Sequence, residues 1–189
     1  MKRLPFRPWI FVSAFLGLYV VSAMLMFNGA LMGDFLPWII NALLSWLQLT
    51  WVWQATAFAA DQSAARGHPK EAARTLGLAK VLAITGAVAI GAFIIGVAVC
   101  GSPIAKATCA SGPNPIWALA IIGGSSSFLA LHWVAASAVC YAERLAGDRN
   151  PHVLGTFLQF VYLIFGATFI YRRLVALRDA SIDEAPPPA

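Results

Sequence analysis

The sequence predicts an all-α fold, a polytopic membrane helical bundle of four firm transmembrane helices plus a fifth segment that either spans or re-enters. Three observations carry that expectation. The 189 residues are 60% hydrophobic and 11% charged, where soluble domains average about 45–50% apolar and about 25% charged. Mean hydropathy is +0.74. Residues 8–31, 35–60, 81–100 and 116–141 contain no Lys, Arg, Asp or Glu, and each reaches the roughly 20 residues a helix needs to cross about 30 Å of hydrocarbon. This excludes an ordinary cytosolic enzyme, a disordered protein and a fibrous repeat. The net charge of +5 does not imply nucleic acid. Such a partner needs Lys and Arg gathered on one face, whereas these cations lie between apolar blocks.

The first segment follows Lys2 and Arg3. Its apolar run is longer than the about 7–15 residues of a signal-peptide core, so it reads as an uncleaved signal anchor. A turn at Met32, Gly33 and Asp34 leads to the second segment, the most polar of the set. There Asn41, Ser45 and Gln48 fall on one helical stripe that Thr56 extends, Thr50 and Gln54 form another, and Trp46, Trp51 and Trp53 flank them. A polar stretch, residues 61–80, connects to the third segment. Ala87 with Gly91 and Ala92 with Gly96 stand four apart there, as do Gly123 and Ser127 in the fourth. Small residues let membrane helices approach closely, so the third and fourth helices are expected to pack through these positions, and Leu at Gly91 or Gly96 to destabilise them.

A Pro/Gly/Ser-rich loop, residues 101–115, separates that pair. The fifth segment, residues 153–171, would be about 28 Å long as one helix, just enough to span. Residues 1–178 are expected to form one transmembrane domain and residues 179–189 a disordered tail.

Lys and Arg accumulate on the cytoplasmic side of membrane proteins. Lys2, Arg3, Arg7, Arg66, Lys70, Arg74, Lys80, Arg144 and Arg149 fall on one side and Lys106 on the other, which predicts a cytoplasmic N-terminus in a bacterial inner membrane. Arg172, Arg173 and Arg178 follow the fifth segment. If it spans, the count is nine to four; if it re-enters, twelve to one. Charge favours re-entry, whereas length and lack of charge favour a span.

The second and fourth segments end alike. Trp53 through Asp61, Arg66 and Gly67 to Pro69 parallels Trp133 through Glu143, Gly147 and Arg149 to Pro151. Either two helical hairpins are repeated, or helix-stop chemistry alone makes the endings similar.

Cys100 and Cys109 bracket an exported loop in an oxidising compartment, where disulfides persist, and are a disulfide candidate; no Cys-x-x-Cys pair supports redox catalysis. His132 is the one histidine within a span, and intramembrane ionisable groups are functional candidates. A ligand or lipid cavity lined by Asn41, Gln48, Trp51, Gln54 and His132 is one reading; hydrogen bonding between helices is the other. Ser125 precedes His132 by seven residues, about 10 Å along a helix, too far for a nucleophile and its base. Asp61 and Glu143 read as flanks that pair with Arg66 and Arg144. Trp38 and Trp117 fit an interfacial aromatic belt. Neither a metal centre nor a cofactor is expected.

Gly155-Thr156-Phe157-Leu158 through Phe165-Gly166-Ala167-Thr168-Phe169-Ile170-Tyr171-Arg172-Arg173-Leu174 resembles the last segment of a diffuse group of small uncharacterised bacterial multispan membrane proteins. Phe165 stands where that group has Pro. The resemblance covers about a fifth of the chain and implies no activity. The expected function is non-enzymatic: an accessory or assembly subunit among membrane lipids, packed on another membrane protein or a second copy. The alternative is a small transporter or binder of a lipid, quinone or other weakly polar ligand.

Overall fold

A computed structural model describes residues 5, 7–27, 35–100, 115–148 and 150–183. The Cys100–Cys109 bridge, the spacing partner Gly96 and the Trp38 and Trp117 belt fall outside the described side chains. The described residues form six helices and no strand: α1 Pro8–Phe27, α2 Phe35–Ala65, α3 Pro69–Cys100, α4 Pro115–Leu145, α5 Val153–Val161 and α6 Leu163–Asp183. Two stretches, Pro69–Ile95 and Ile122–Leu145, are long and apolar enough to cross a membrane, and Pro8–Met24 is a shorter apolar helix.

The polar stretch expected to be a connection is mostly helix, and only Arg66, Gly67 and His68 interrupt it. Gly67 stops α2 at φ +87°, a left-handed conformation that glycine adopts without Cβ strain. The His68 N–H bonds to the Ser63 carbonyl and the Gly67 N–H to that of Ala64, a Schellman cap. Pro69 then opens α3, where its missing N–H costs nothing. The end of α4 repeats this atom for atom: Gly147 has φ +94°, with Asp148 N–H on the Glu143 carbonyl and Gly147 N–H on that of Arg144. The two similar sequence endings thus carry the same cap.

Helices α2, α3 and α4 pack on one another, α1 lies on α2 and α6, and α5 lies on α4 and α6. The core is concentrated toward the C-terminal ends of α2 and α4, next to Arg66 and Arg144. Trp51, Ala55 and Ala59 of α2 meet Leu131, Ala135, Val139 and Ala142 of α4, while Ala167, Ile170, Leu174 and Leu177 of α6 close the third side. These follow the three-and-four spacing of one helical stripe.

The fifth segment is a helical hairpin. Nine residues of α5 rise only about 13 Å, and Tyr162 then caps both helices. Its N–H bonds to the Leu158 carbonyl, while its own carbonyl accepts from the N–H groups of Phe165 and Gly166. The Arg173 side chain reaches Thr156 at 2.7 Å, 17 residues back, a separation that a straight helix would stretch to about 25 Å. So α6 returns along α5. It also continues through Asp183, past the expected start of the tail at residue 179.

The α3–α4 packing is present, but the closest approach is not at the expected pairs. A Cβ on Gly91 or Gly123 meets nothing within 4 Å, whereas one on Gly124 would lie 2.9 Å from the Ala89 Cβ. Ala92 is exposed, Ala87 half-buried and Ser127 buried. Four-residue spacing marks faces that can approach, and helix rotation decides which residue sits in the contact. Gly124→Ala is therefore expected to destabilise by about 1–3 kcal/mol through overpacking. Gly91→Ala should be neutral or gain up to about 1 kcal/mol from helix propensity. Thermal midpoints of the two variants in one detergent check the contrast.

Candidate functional site

Two features gather the chemistry-bearing side chains: a crevice between α2, α3 and α4, and a polar clamp where α4 meets the α5–α6 hairpin.

The crevice has a volume of about 490 Å³ and is lined mainly by apolar groups, among them Leu49, Ile90, Phe93 and Phe128, with Asn41, Ser45 and Ser125 supplying polarity. This size lies within the range of small-molecule pockets. Phe128 connects it to a buried pair. The Nδ1 of His132 lies 2.6 Å from the Phe128 carbonyl. A carbonyl only accepts, so Nδ1 carries the proton. In the neutral ring Nε2 is then an acceptor, and the Gln48 amide donates to it at 3.1 Å. His132 is fully buried with both nitrogens engaged, an arrangement suited to holding α2 against α4.

The remaining ligand candidates are dispersed. Trp51 is fully buried, with its ring 5.8 Å from Phe11 and 6.2 Å from Phe160; it is a packing hub for α1, α2 and α5. Gln54 is half-buried one turn further along α2. Of the five, Asn41 alone lines the crevice. Most hydroxyls on the polar stripes bond within their own helix: Ser45 to the Asn41 carbonyl, Thr50 to that of Trp46 and Thr56 to that of Val52. Ser and Thr can satisfy themselves on the carbonyl four residues back, so a stripe of them does not require a partner helix. Gln48→Leu removes the amide that donates to His132 Nε2 and is expected to cost about 1 kcal/mol. His132→Leu in the same background should recover part of that loss, read from thermal midpoints.

The clamp was not legible as a unit. The Glu143 carboxylate is expected from its position to pair with Arg144, but it is bound from two directions by Arg173: Nε donates to Oε1 at 2.6 Å and Nη2 to Oε2 at 2.5 Å. Arg173 Nη1 also donates to Thr156 Oγ1 at 2.7 Å and Gln159 Oε1 at 3.2 Å. Thr156 donates to the His152 carbonyl, which leaves its oxygen to accept from Arg173 and from the Cys140 thiol at 3.3 Å. Burial pulls the Arg173 pKa down, but the hydrogen bonds and charge of Glu143 more than offset this, so it lies above the ordinary value. Arg66 ties the same end together, donating to Gln62 Oε1 and to the Leu177 carbonyl. The only sequence signal for the clamp was a pair of ionisable residues at the ends of apolar segments. Among the described residues no cluster of His, Cys, Asp or Glu could hold a metal ion.

Comparison with protein families, with curated proteins and with solved structures returns no match.

Proposed function

We propose that the chain is a non-enzymatic integral membrane protein of the bacterial inner membrane, an accessory or assembly subunit that packs against another membrane component. The observation that carries this reading is the division of polar and apolar groups. Gln48, His132, Glu143 and Arg173 are consumed in contacts between helices. The outer faces instead expose Trp9, Tyr19 and Met24 on α1, Val81, Ile84, Val88 and Ile95 on α3, and Phe165 and Phe169 on the hairpin. Apolar surface on this scale marks contact with lipid or a partner. With a hairpin in place of a fifth span, the sequence count is twelve Lys and Arg on one side against Lys106 on the other, in keeping with a cytoplasmic N-terminus.

The crevice favours a second reading, a binder of a weakly polar ligand such as a lipid or quinone, with the apolar part along Leu49, Ile90 and Phe93 and a polar group at Asn41. Purification of the tagged full chain in mild detergent separates the two. The subunit reading expects a stoichiometric protein partner that survives washing. A solitary homo-oligomer that retains lipid or quinone would overturn it in favour of the binder.

A further inference from the structure

We propose that the cavity between the start of α1 and the returning helix α6 binds the phosphate headgroup of an anionic phospholipid in the cytoplasmic leaflet; this rests on the membrane reading above. The cavity has a volume of about 490 Å³ and its lining includes Arg7, Trp9, Thr168, Tyr171 and Arg172, with no acidic residue. Two arginines line it from different elements, Arg7 before α1 and Arg172 on α6, together with the hydroxyl-bearing side chains Thr168 and Tyr171. Guanidinium groups suit phosphate because their N–H forks match its oxygens. Among the described residues neither Arg7 nor Arg172 has a carboxylate partner.

The position along the bundle argues for a lipid over a soluble anion. On α6 the exposed rings of Phe165 and Phe169 give way one turn later to Arg172. On α1 the exposed Trp9 and Ile10 come two and three residues after Arg7. Both elements thus change from cation to apolar surface where they line one cavity, which is the profile of a headgroup boundary with acyl chains beside it. Trp is enriched at that level, and basic pockets between helices on the cytoplasmic side suit anionic headgroups. The first turn of α1 adds the positive end of a helix dipole.

The test is native mass spectrometry of the purified full chain in nonionic detergent, titrated with phosphatidylglycerol and with phosphatidylcholine of the same acyl chains. The wild type is expected to prefer phosphatidylglycerol, and Arg7→Gln and Arg172→Gln are each expected to lower that preference about fivefold. Arg178→Gln, which removes a cation bound to Asp179 outside the cavity, should retain it. Arg7 precedes α1, so its variant remains informative if Arg172→Gln fails to fold. Equal preference in Arg7→Gln and wild type, or an equal loss in Arg178→Gln, would overturn the proposal. Displacement by glycerol phosphate at the same concentration would assign the site to a soluble phosphate and overturn it too. Carbonate extraction of native membranes tests the membrane reading separately: release of the chain would sink that reading whatever the lipid preference in detergent.

Discussion

Gly166→Ala is expected to be the most damaging single-methyl change in the described chain. A Cβ at this position would overlap the Gln159 backbone carbonyl and lie 2.7 Å from the Gln159 Cα. The obstacle is main chain in the neighbouring helix, which no rotamer change relieves. Tyr162 is the sole residue between α5 and α6, so the turn cannot lengthen without unwinding a helix end. The expected loss is about 3 kcal/mol, at the upper end of overpacking costs. It should come with separation of α6 from α5 and exposure of Phe160, Ala167 and Ile170, which are fully buried in the native chain. Gly155→Ala is the matched control, since its Cβ would sit 3.8 Å from that of His152, in ordinary contact. Thermal midpoints and limited proteolysis in detergent measure both. A Gly166→Ala protein as stable and protease-resistant as Gly155→Ala would contradict the close approach.

The second large effect belongs to Arg173. Removing one partner of a buried ion pair typically costs about 3–5 kcal/mol, because the other charge is left unsatisfied. The side chain of Arg173 is 25% exposed and that of Glu143 10%, so water screens part of this and about 2–3 kcal/mol is expected for Arg173→Ala. Thr156 and Gln159 lose a donor at the same time. Arg173→Lys keeps the charge but not the fork that spans both Glu143 oxygens and Thr156, and should fall between the two. Glu143→Leu combined with Arg173→Leu should be less damaging than Arg173→Ala alone, since no charge remains to be buried. A double-mutant cycle on thermal stability reads the coupling. An additive cycle would show that the pair holds nothing together.

The long helices were legible because uninterrupted apolar runs have few other structures to adopt, and Gly67 and Gly147 announced their ends. The hairpin was not. Residues 153–171 have the same length and apolarity whether they cross the bilayer or turn back, and the deciding feature, the absent side chain of Gly166, matters only once the Gln159 backbone lies against it. Gln48 and His132 could be singled out as polar groups among apolar neighbours, but their satisfaction by each other required the rotation of α2 against α4. Trp51 could be linked in sequence only to the polar residues beside it; the packing of its ring on Phe11 and Phe160 depends on how α1 and α5 dock against α2. Glu143 and Arg173, 30 residues apart, had no spacing that could link them, and the adjacent Arg144 offered a partner that the fold does not use.

On the membrane reading proposed above, a returning hairpin puts residues 1 and 189 on the same side of the bilayer, and reporter fusions at the two ends test this most directly. Fluorescent-protein and alkaline-phosphatase fusions at Met1 and at Ala189 are expected to report the cytoplasmic side at both ends. An exported reporter at Ala189 with a cytoplasmic one at Met1 would mean that residues 153–171 cross the membrane as a fifth span, and would contradict the hairpin.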